Sequence, residues 1–532
     1  MKKLAVIVMV MVFALGFALA AYAEDSVVPS DTAVVAQGDT KITIGGEIRF
    51  RGEYTHNRYN QVSDGTQYNT TTYISPFGVA VMTNKGPLTQ NNDHQYYSDG
   101  RVKLNLDAKV TDTVEGYVEL ESGNGTNSDT WNWGNTGNST YGGIATGTGA
   151  TGTYASGNSQ VGGMFIRQAW IKYEQPMYGV KVGHQLLILG NGLFFDHTRY
   201  GDDAIVVFVN PVKNFTIAAL TAKFREGTPA TSALAAQTPA SGPNGTGLYN
   251  DSDAYVLLAS YKGGNFNVSG DVTAVNDQAI YQNTPIAGGP TFTDSAQVWN
   301  FGLRGDGTVG PVVLRGDLEI QAGKYISNQP FTSNGRFRGW AGLAGLDYNI
   351  GPAKITLEGA YGSGKAGNDT SADTTTFITS LGNDQHYTYV YEYRVKSASG
   401  LVSSGLANTL YLKGGASVNI TKQLSAETYL YWLQAAKAVA LNDTAGFING
   451  VPYTPNYSKN LGWELDAKVT YALSKNLKYW VEGGYFWTGS AYDYLTSTTT
   501  YINATTPAYT YNTYNYGRDN AYAIRNGIQL NF

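Results

Sequence analysis

Arg101-Val102-Lys103-Leu104-Asn105-Leu106-Asp107-Ala108-Lys109-Val110 is the stretch that decides the fold. Val102, Leu104, Leu106, Ala108 and Val110 fall on one side of an extended chain, and Arg101, Lys103, Asn105, Asp107 and Lys109 on the other. Side chains alternate across a strand, so this period of two sets one face in an apolar medium and the other in water. The pattern returns in Val312 to Ala322, where Leu314, Leu318 and Ile320 alternate with Arg315, Asp317, Glu319 and Gln321. It returns again where Trp463, Leu465, Ala467, Val469 and Tyr471 interleave with Glu464, Asp466, Lys468 and Thr470.

Working outward, the same reading predicts strands near 41–55, 99–110, 114–122, 163–175, 179–188, 203–209, 214–224, 252–262, 265–276, 296–304, 311–325, 336–350, 353–365, 406–420, 423–437, 459–473, 476–488 and 519–532. The count is eighteen, or sixteen if the poorly alternating 163–175 and 203–209 are set aside. Short connections such as Pro176-Met177-Tyr178, Gly263-Gly264, Gly305 to Gly310, Gly351-Pro352 and Ser474-Lys475 alternate with long ones. The long ones, Gly123 to Gly162, Ala366 to Gly405 and Gly489 to Arg518 among them, are rich in Gly, Thr, Asn, Ser and Tyr and are expected to face solvent. The expected fold class is all-β: a transmembrane antiparallel β-barrel with short periplasmic turns and long extracellular loops.

Composition agrees with that layout. The chain has 64 Gly, 40 Tyr, 9 Trp and 19 Phe with 14% charged residues, which suits many strands, turns and aromatic belts. Its 42% hydrophobic content is too high for a disordered chain. Zero cysteines exclude disulfides, thiolate metal sites, covalent haem attachment and a lipoprotein anchor. The start, Met1-Lys2-Lys3, an apolar run from Leu4 to Ala20, then Ala21-Tyr22-Ala23, reads as a signal peptide (1–23) cleaved after Ala23. A periplasmic segment (24–40) then precedes the barrel (41–532). Loss of Lys2 and Lys3 leaves 34 Lys+Arg against 41 Asp+Glu, an acidic balance that argues against a nucleic-acid partner.

Within hydrocarbon every backbone polar group needs an internal partner, so the strands must close on themselves. A ring of sixteen to eighteen strands leaves an aqueous bore unless a domain plugs it, and the segment before the first strand is too short to be one. The expected lining carries positive Arg49, Arg51, Arg101, Lys103, Lys109, Arg304, Arg315, Lys354, Lys413, Lys468, Lys478 and Arg525. Against them stand Glu47, Glu53, Asp107, Glu115, Glu119, Asp271, Asp317, Glu319, Glu358, Glu464, Asp466 and Glu482. A balanced wall predicts weak ion selectivity, because strong selectivity comes from rings of one sign; opposite charges paired only to stiffen the wall are the alternative. Aromatic residues at strand ends, including Tyr54, Tyr173, Tyr178, Phe215, Tyr261, Phe266, Tyr348, Tyr471, Tyr479, Tyr485 and Trp487, read as interfacial girdles.

Between Leu189 and Asp203 lies the densest polar cluster in a loop of moderate length: Asp196, His197, Arg199, Tyr200, Asp202 and Asp203. It is a candidate constriction folded into the bore, or else an ordered rim. Gly359 to Ala366 nearly spells a phosphate loop but lacks the final Ser or Thr and a following helix. His56, His94, His184, His197 and His386 show no metal-ligand spacing, and the acidic patches at Asp93 and Asp202-Asp203 read as solvated charge in preference to a Ca²⁺ site. No metal, cofactor or enzymatic activity is expected.

The segment Phe165 to Phe208, with Arg167-Gln168-Ala169-Trp170 and Gly183-His184-Gln185, resembles outer-membrane porins of the alginate-export-like type and channels of metal-reducing bacteria. That resemblance implies an eighteen-stranded barrel in the outer membrane of a Gram-negative bacterium. The balanced lining departs from the basic conduit expected of a polyuronate exporter. The expected function is passive diffusion of small hydrophilic solutes or ions. The alternatives are a sheath or adhesin supporting extracellular respiration, or a polysaccharide exporter. Expected partners are outer-membrane lipid and lipopolysaccharide, those solutes, and the barrel assembly machinery through the terminal Phe532, which closes an alternating strand with Tyr522, Ile524, Ile528 and Leu530. The oligomer is left open between a monomer and a homotrimer.

Overall fold

A computed structural model describes residues 33–37, 40–58, 72–75, 78–81, 94–123, 131–132, 163–225, 251–277, 295–326, 334–366, 369, 371–381, 387–396, 405–439, 446–448, 451–453, 457–501, 509–516 and 518–532. The signal peptide, Asp93 and His386 lie outside these residues. The long strands are β1 (Thr40–His56), β2 (His94–Thr111), β3 (Val114–Gly123), β4 (Gly163–Glu174), β5 (Tyr178–Gln185) and β6 (Asp202–Val212). They continue as β7 (Phe215–Arg225), β8 (Ser252–Lys262), β9 (Phe266–Asp277), β10 (Ser295–Val309), β11 (Val312–Ile326) and β12 (Trp340–Ile350). The last six are β13 (Ala353–Gly362), β14 (Thr409–Asn419), β15 (Leu424–Val439), β16 (Ser458–Ala472), β17 (Leu477–Thr488) and β18 (Ala521–Asn531).

Each long strand pairs antiparallel with the next, and β18 returns to β1 from Glu47 opposite Asn531 to His56 opposite Tyr522. The sheet is therefore a closed barrel of eighteen strands; its 21 members include three short segments, Ala33–Gln37, Trp131–Asn132 and Gly335–Phe337. Closure removes the edges that an open sheet would present. Phe532 seals the seam, exchanging backbone hydrogen bonds with Gly46 of 2.8 and 3.1 Å.

The alternation read from sequence carries into three dimensions. Leu104, Leu106, Val118, Leu257, Leu303, Leu318, Ile320, Leu357 and Leu412 are exposed on the outer face, while the charged residues between them point inward and are largely buried. Tyr173 and Tyr178, and Tyr261 and Phe266, form ring pairs at the turn end; Tyr485 with Trp487 and Tyr522 does so at the loop end.

Both poorly alternating segments have a physical cause. In β4 the pairing with β3 slips between Glu119 and Leu120, so consecutive Arg167 and Gln168 both face inward and both donate to Glu119, at 2.7 and 2.8 Å. Such a bulge reverses the parity of every residue beyond it. In β6 the inward face is apolar as well, because Ala204 joins Ala222, Ala254, Val256, Val275, Ala296 and Val298 in a buried patch that receives Leu189, Phe194 and Phe195.

Two expectations need correction. Gly305 to Val309 is strand, not turn: Gly305 pairs with Gly316 and Gly307 with Leu314, and the chain reverses only at Gly310 (φ +58°) and Pro311. Before the barrel, Ala33–Gln37 adds one short strand that pairs with Thr40 to Ile44. The loop from Ala366 to Gly405 does not simply face solvent: Phe377, Tyr387, Tyr389, Val390 and Tyr391 are buried among inward-facing wall residues, because its Tyr-rich stretch can bury aromatic area that Gly, Asn and Ser cannot.

Candidate functional site

The barrel interior is crossed by two loops from the same end. The first, residues 186–201 between β5 and β6, turns at Gly190 (φ +57°) and Gly192 (φ +73°), a backbone geometry that suits glycine. Gly190 is so close to the Arg304 side chain of β10 that a Cβ there would collide with it. Asn191 donates its backbone N–H and its side-chain amide to Asp317 of β11, at 3.3 and 3.1 Å. The loop thus reaches the wall five strands from its root. Further along, Phe195 and Asp196 pair with Ser380 and Leu381 of the second loop, knitting the two together.

The polar cluster singled out in the sequence is used inside the loop's base. Asp196 accepts from the Thr198 backbone N–H (3.0 Å) and hydroxyl (2.6 Å), and Arg167 donates to the carbonyls of Thr198 and Arg199. His197 Nδ1 meets Asp202 at 2.6 Å while its ring stacks on Phe195, 4.4 Å between centroids. The Arg199 guanidinium lies over the Tyr200 ring, and Tyr200 offers its carbonyl oxygen to His184. Asp203 shares the outward face of β6 with Ile205 and Val207 and is held by His184 at 2.9 Å. The residues that cross the interior are instead Gly190 to Leu193.

The second loop joins β13 to β14. Its stretch Tyr387-Thr388-Tyr389-Val390-Tyr391-Glu392-Tyr393-Arg394 enters a wide helical turn, Tyr391–Lys396, with i to i+5 spacing. Glu392 ties the loop's limbs, accepting from the backbone N–H of Tyr387 (3.2 Å) and of Gly405 (3.1 Å). Arg394 pairs with Glu53 of β1 through two contacts of 2.8 and 2.6 Å and covers the Tyr389 ring at 3.7 Å. The Tyr431 hydroxyl of β15 donates to the Tyr387 carbonyl at 2.8 Å. Burial pushes the Tyr387, Tyr389 and Tyr391 phenols well above the ordinary tyrosine value, so they stay neutral. Neither a basic nor an acidic motif marks this stretch; its density of rings amid Gly, Ser and Thr was the available signal.

The wall residues expected to line the bore, from Arg49 and Arg51 on β1 to Arg525 on β18, fall on the inward parity of their strands. Most are neutralised by neighbours. Arg51 meets Asp99 at 2.9 Å and Arg101 meets Glu47 at 2.6 Å. Lys103 lies between Glu119 and Glu121, and Lys172 meets Glu115. Arg304 contacts Asp271, Asp317 and Glu319; Arg315 meets Asp347 and Glu358; Lys413 also approaches Glu358. Arg525 bridges Glu482 and Glu53, and Lys468 meets Glu482. Asp107 faces inward beside Lys109 and Glu115. Arg49 differs: it is 9% exposed, its Nε and Nη2 have no hydrogen-bond partner, and it sits in register directly opposite Arg101.

Space remains beside the loops. One cavity of about 220 Å³ is lined by Asn191 to Leu193 of the first loop, Tyr387 of the second, and Arg315, Glu358 and Lys413 of the wall. Another, of about 230 Å³, is lined by Tyr387, Tyr389, Lys413, Tyr429, Asp466, Lys468 and Glu482. Tyr387 and Lys413 border both.

These features define a class: a closed β-barrel, apolar outside and charged inside, with two loops folded inward. No protein-family model and no curated protein sequence matches the chain. Among solved structures it is similar to Pseudomonas aeruginosa OccK9 (OpdG), with 9% identity and a TM-score of 0.47 over 92% of this chain and 98% of that one. It is likewise similar to OccK8 (OprE) of the same organism, at 11% identity and 0.46 over 92% and 98%. The outer-membrane OmpT of Vibrio cholerae gives 10% identity and 0.35 over 94% and 100%. Likeness at this level bears on neither the fold nor the function of this chain, and the fold rests on its own strand pairing.

Proposed function

We propose that the chain is an outer-membrane channel for passive diffusion of small hydrophilic solutes or ions, with the loop 186–201 and the segment Tyr387–Lys396 setting its bore. What carries the reading is the two-faced wall: a continuous apolar outer surface between aromatic girdles, closed around an interior lined with ions. Such a surface is stable in hydrocarbon, where unpaired backbone groups are costly and a closed ring has none to leave open. Lipid and lipopolysaccharide contact the outer face, and the chain reaches that membrane through cleavage after Ala23 and recognition of Phe532 by the assembly machinery. The paired wall charges favour weak ion selectivity, since no ring of one sign faces the solute. The cavities beside the loops, of about 220 and 230 Å³, favour small solutes over a polysaccharide chain. Reconstitution in a planar bilayer tests the proposal: stepwise conductance with modest cation or anion preference is expected. Protein that inserts without conducting, or that conducts with near-ideal selectivity, refutes the channel reading or its weak selectivity respectively.

A further inference from the structure

Glu464 and Asp466 stand two residues apart on the inward face of β16, both buried, and among the described residues neither forms an ion pair with Lys or Arg. Most of the wall's other acids among the described residues meet a cation, so stiffening by ion pairs does not account for this pair. What the two carboxylates do meet is backbone. The N–H groups of Val390 and Tyr391 donate to Glu464 at 2.5 and 2.7 Å, and that of Tyr389 donates to Asp466 at 3.0 Å. These amides begin the loop's helical turn, are buried, and have no partner within the turn; a buried N–H must find an acceptor. The two carboxyl groups also meet one another. The wall is also shaped for them. Gly484 of β17 faces the pair, and a Cβ there would come within 2.3 Å of Asp466 Oδ1 and 2.8 Å of Val390.

Resting on the channel reading above, we infer that Glu464 and Asp466 are positioning residues that fasten the Tyr387–Lys396 segment across the bore and thereby set the channel's size limit. They grip main chain, so the hold is indifferent to the loop's own side chains, and Gly484 supplies the recess into which Val390 fits. Tyr387, carried by this segment, borders both cavities beside it, of about 220 and 230 Å³. Release of the segment takes Tyr387 from between them.

The test uses the full-length protein in two variants: Glu464→Ala with Asp466→Ala, which removes the acceptors, and Gly484→Val, which keeps both carboxyl groups but fills the recess, pressing on Asp466 Oδ1 as well as on Val390. Retained barrel structure is checked by heat-modifiable migration on gels. Two readouts follow, conductance with the size cut-off for graded neutral sugars, and trypsin cleavage at the buried Arg394. The expected result is higher conductance, a larger cut-off, and cleavage at Arg394 in both variants, with the parent protected. If the double variant does not assemble, Gly484→Val carries the test alone. Folded variants that keep the parent's conductance, cut-off and trypsin protection overturn the inference. Cleavage in the variants of a parent that never conducts upholds the fastening and removes the channel reading.

Discussion

Arg304 offers the sharpest perturbation of the interior. It is 4% exposed and contacts three carboxylates, Asp271, Asp317 and Glu319, with Glu319 at 2.5 Å and Asp317 at 3.5 Å. Asn300 donates to Glu319 at 2.6 Å and Asn191 to Asp317, so the cluster also anchors the first loop. Arg304→Met keeps most of the volume and removes the charge, leaving three acids with no cation in contact. Removing one partner of a buried ion pair costs about 3–5 kcal/mol, because the remaining charge loses its compensation. The same amount should appear as a lowered guanidinium midpoint in lipid-reconstituted protein followed by tryptophan fluorescence, at unchanged slope. The quadruple variant that adds Asp271→Asn, Asp317→Asn and Glu319→Gln should recover most of the loss, since neutral groups of similar shape do not repel. A loss below about 1 kcal/mol for Arg304→Met, the range of exposed pairs, refutes the claim that this cluster is a desolvated hub.

Three further outcomes are expected. Leu318→Arg on the outer face of β11 should destabilise the barrel by about 2–4 kcal/mol in lipid vesicles, the cost of a charge near the bilayer midplane; indifference in lipid would place that face in water. Arg49→Gln removes an interior cation whose Nε and Nη2 have no hydrogen-bond partner. One charge felt at ~7 Å through water is worth about 0.6 kcal/mol, so cation entry should rise and anion entry fall about threefold each, read as a shifted reversal potential that vanishes at high salt. Burial raises the phenols of Tyr387, Tyr389 and Tyr391, so above pH ~10 the unfolded chain releases protons that the folded loop retains. Stability of the inward loop is therefore complete below that pH and is lost as pH rises further. Trypsin cleavage at Arg394 that appears only in strong alkali, together with a late phenolate absorbance step, is the expected signature; uniform ionisation of all tyrosines near pH 10 contradicts it.

Where sequence reading succeeded and where it stopped follows from the range of the forces involved. Alternation is a local property, so strands such as β2, β11 and β16 were legible from ten residues each, and the inward parity of Arg101, Asp317 or Glu464 came with them. The bulge at Arg167 and the doubly apolar β6 broke the alternation because each answers to something outside its own strand: an extra donor to Glu119, and the Phe194 and Phe195 rings. The cluster from Asp196 to Asp203 drew notice as charge in a loop, yet its members are tied down at the loop's base, His197 to Asp202, Asp196 to Thr198 and Asp203 to His184. The crossing itself is made by Gly190 to Leu193, which carry no charge.

The amino-acid order alone determined that many two-faced strands would form, which residues each face would carry, and that the number of strands would be near eighteen, because a strand's two faces are fixed by the pleat of a single chain. Only the tertiary structure decided what fills the ring. Whether a loop lies out in water or turns inward depends on partners far along the chain, as when Arg394 meets Glu53, 341 residues away, and Tyr389 meets Asp466, 77 residues away. Such long-range pairs leave no periodic trace in the sequence, since their free energy arises only once closure has brought the distant wall within reach.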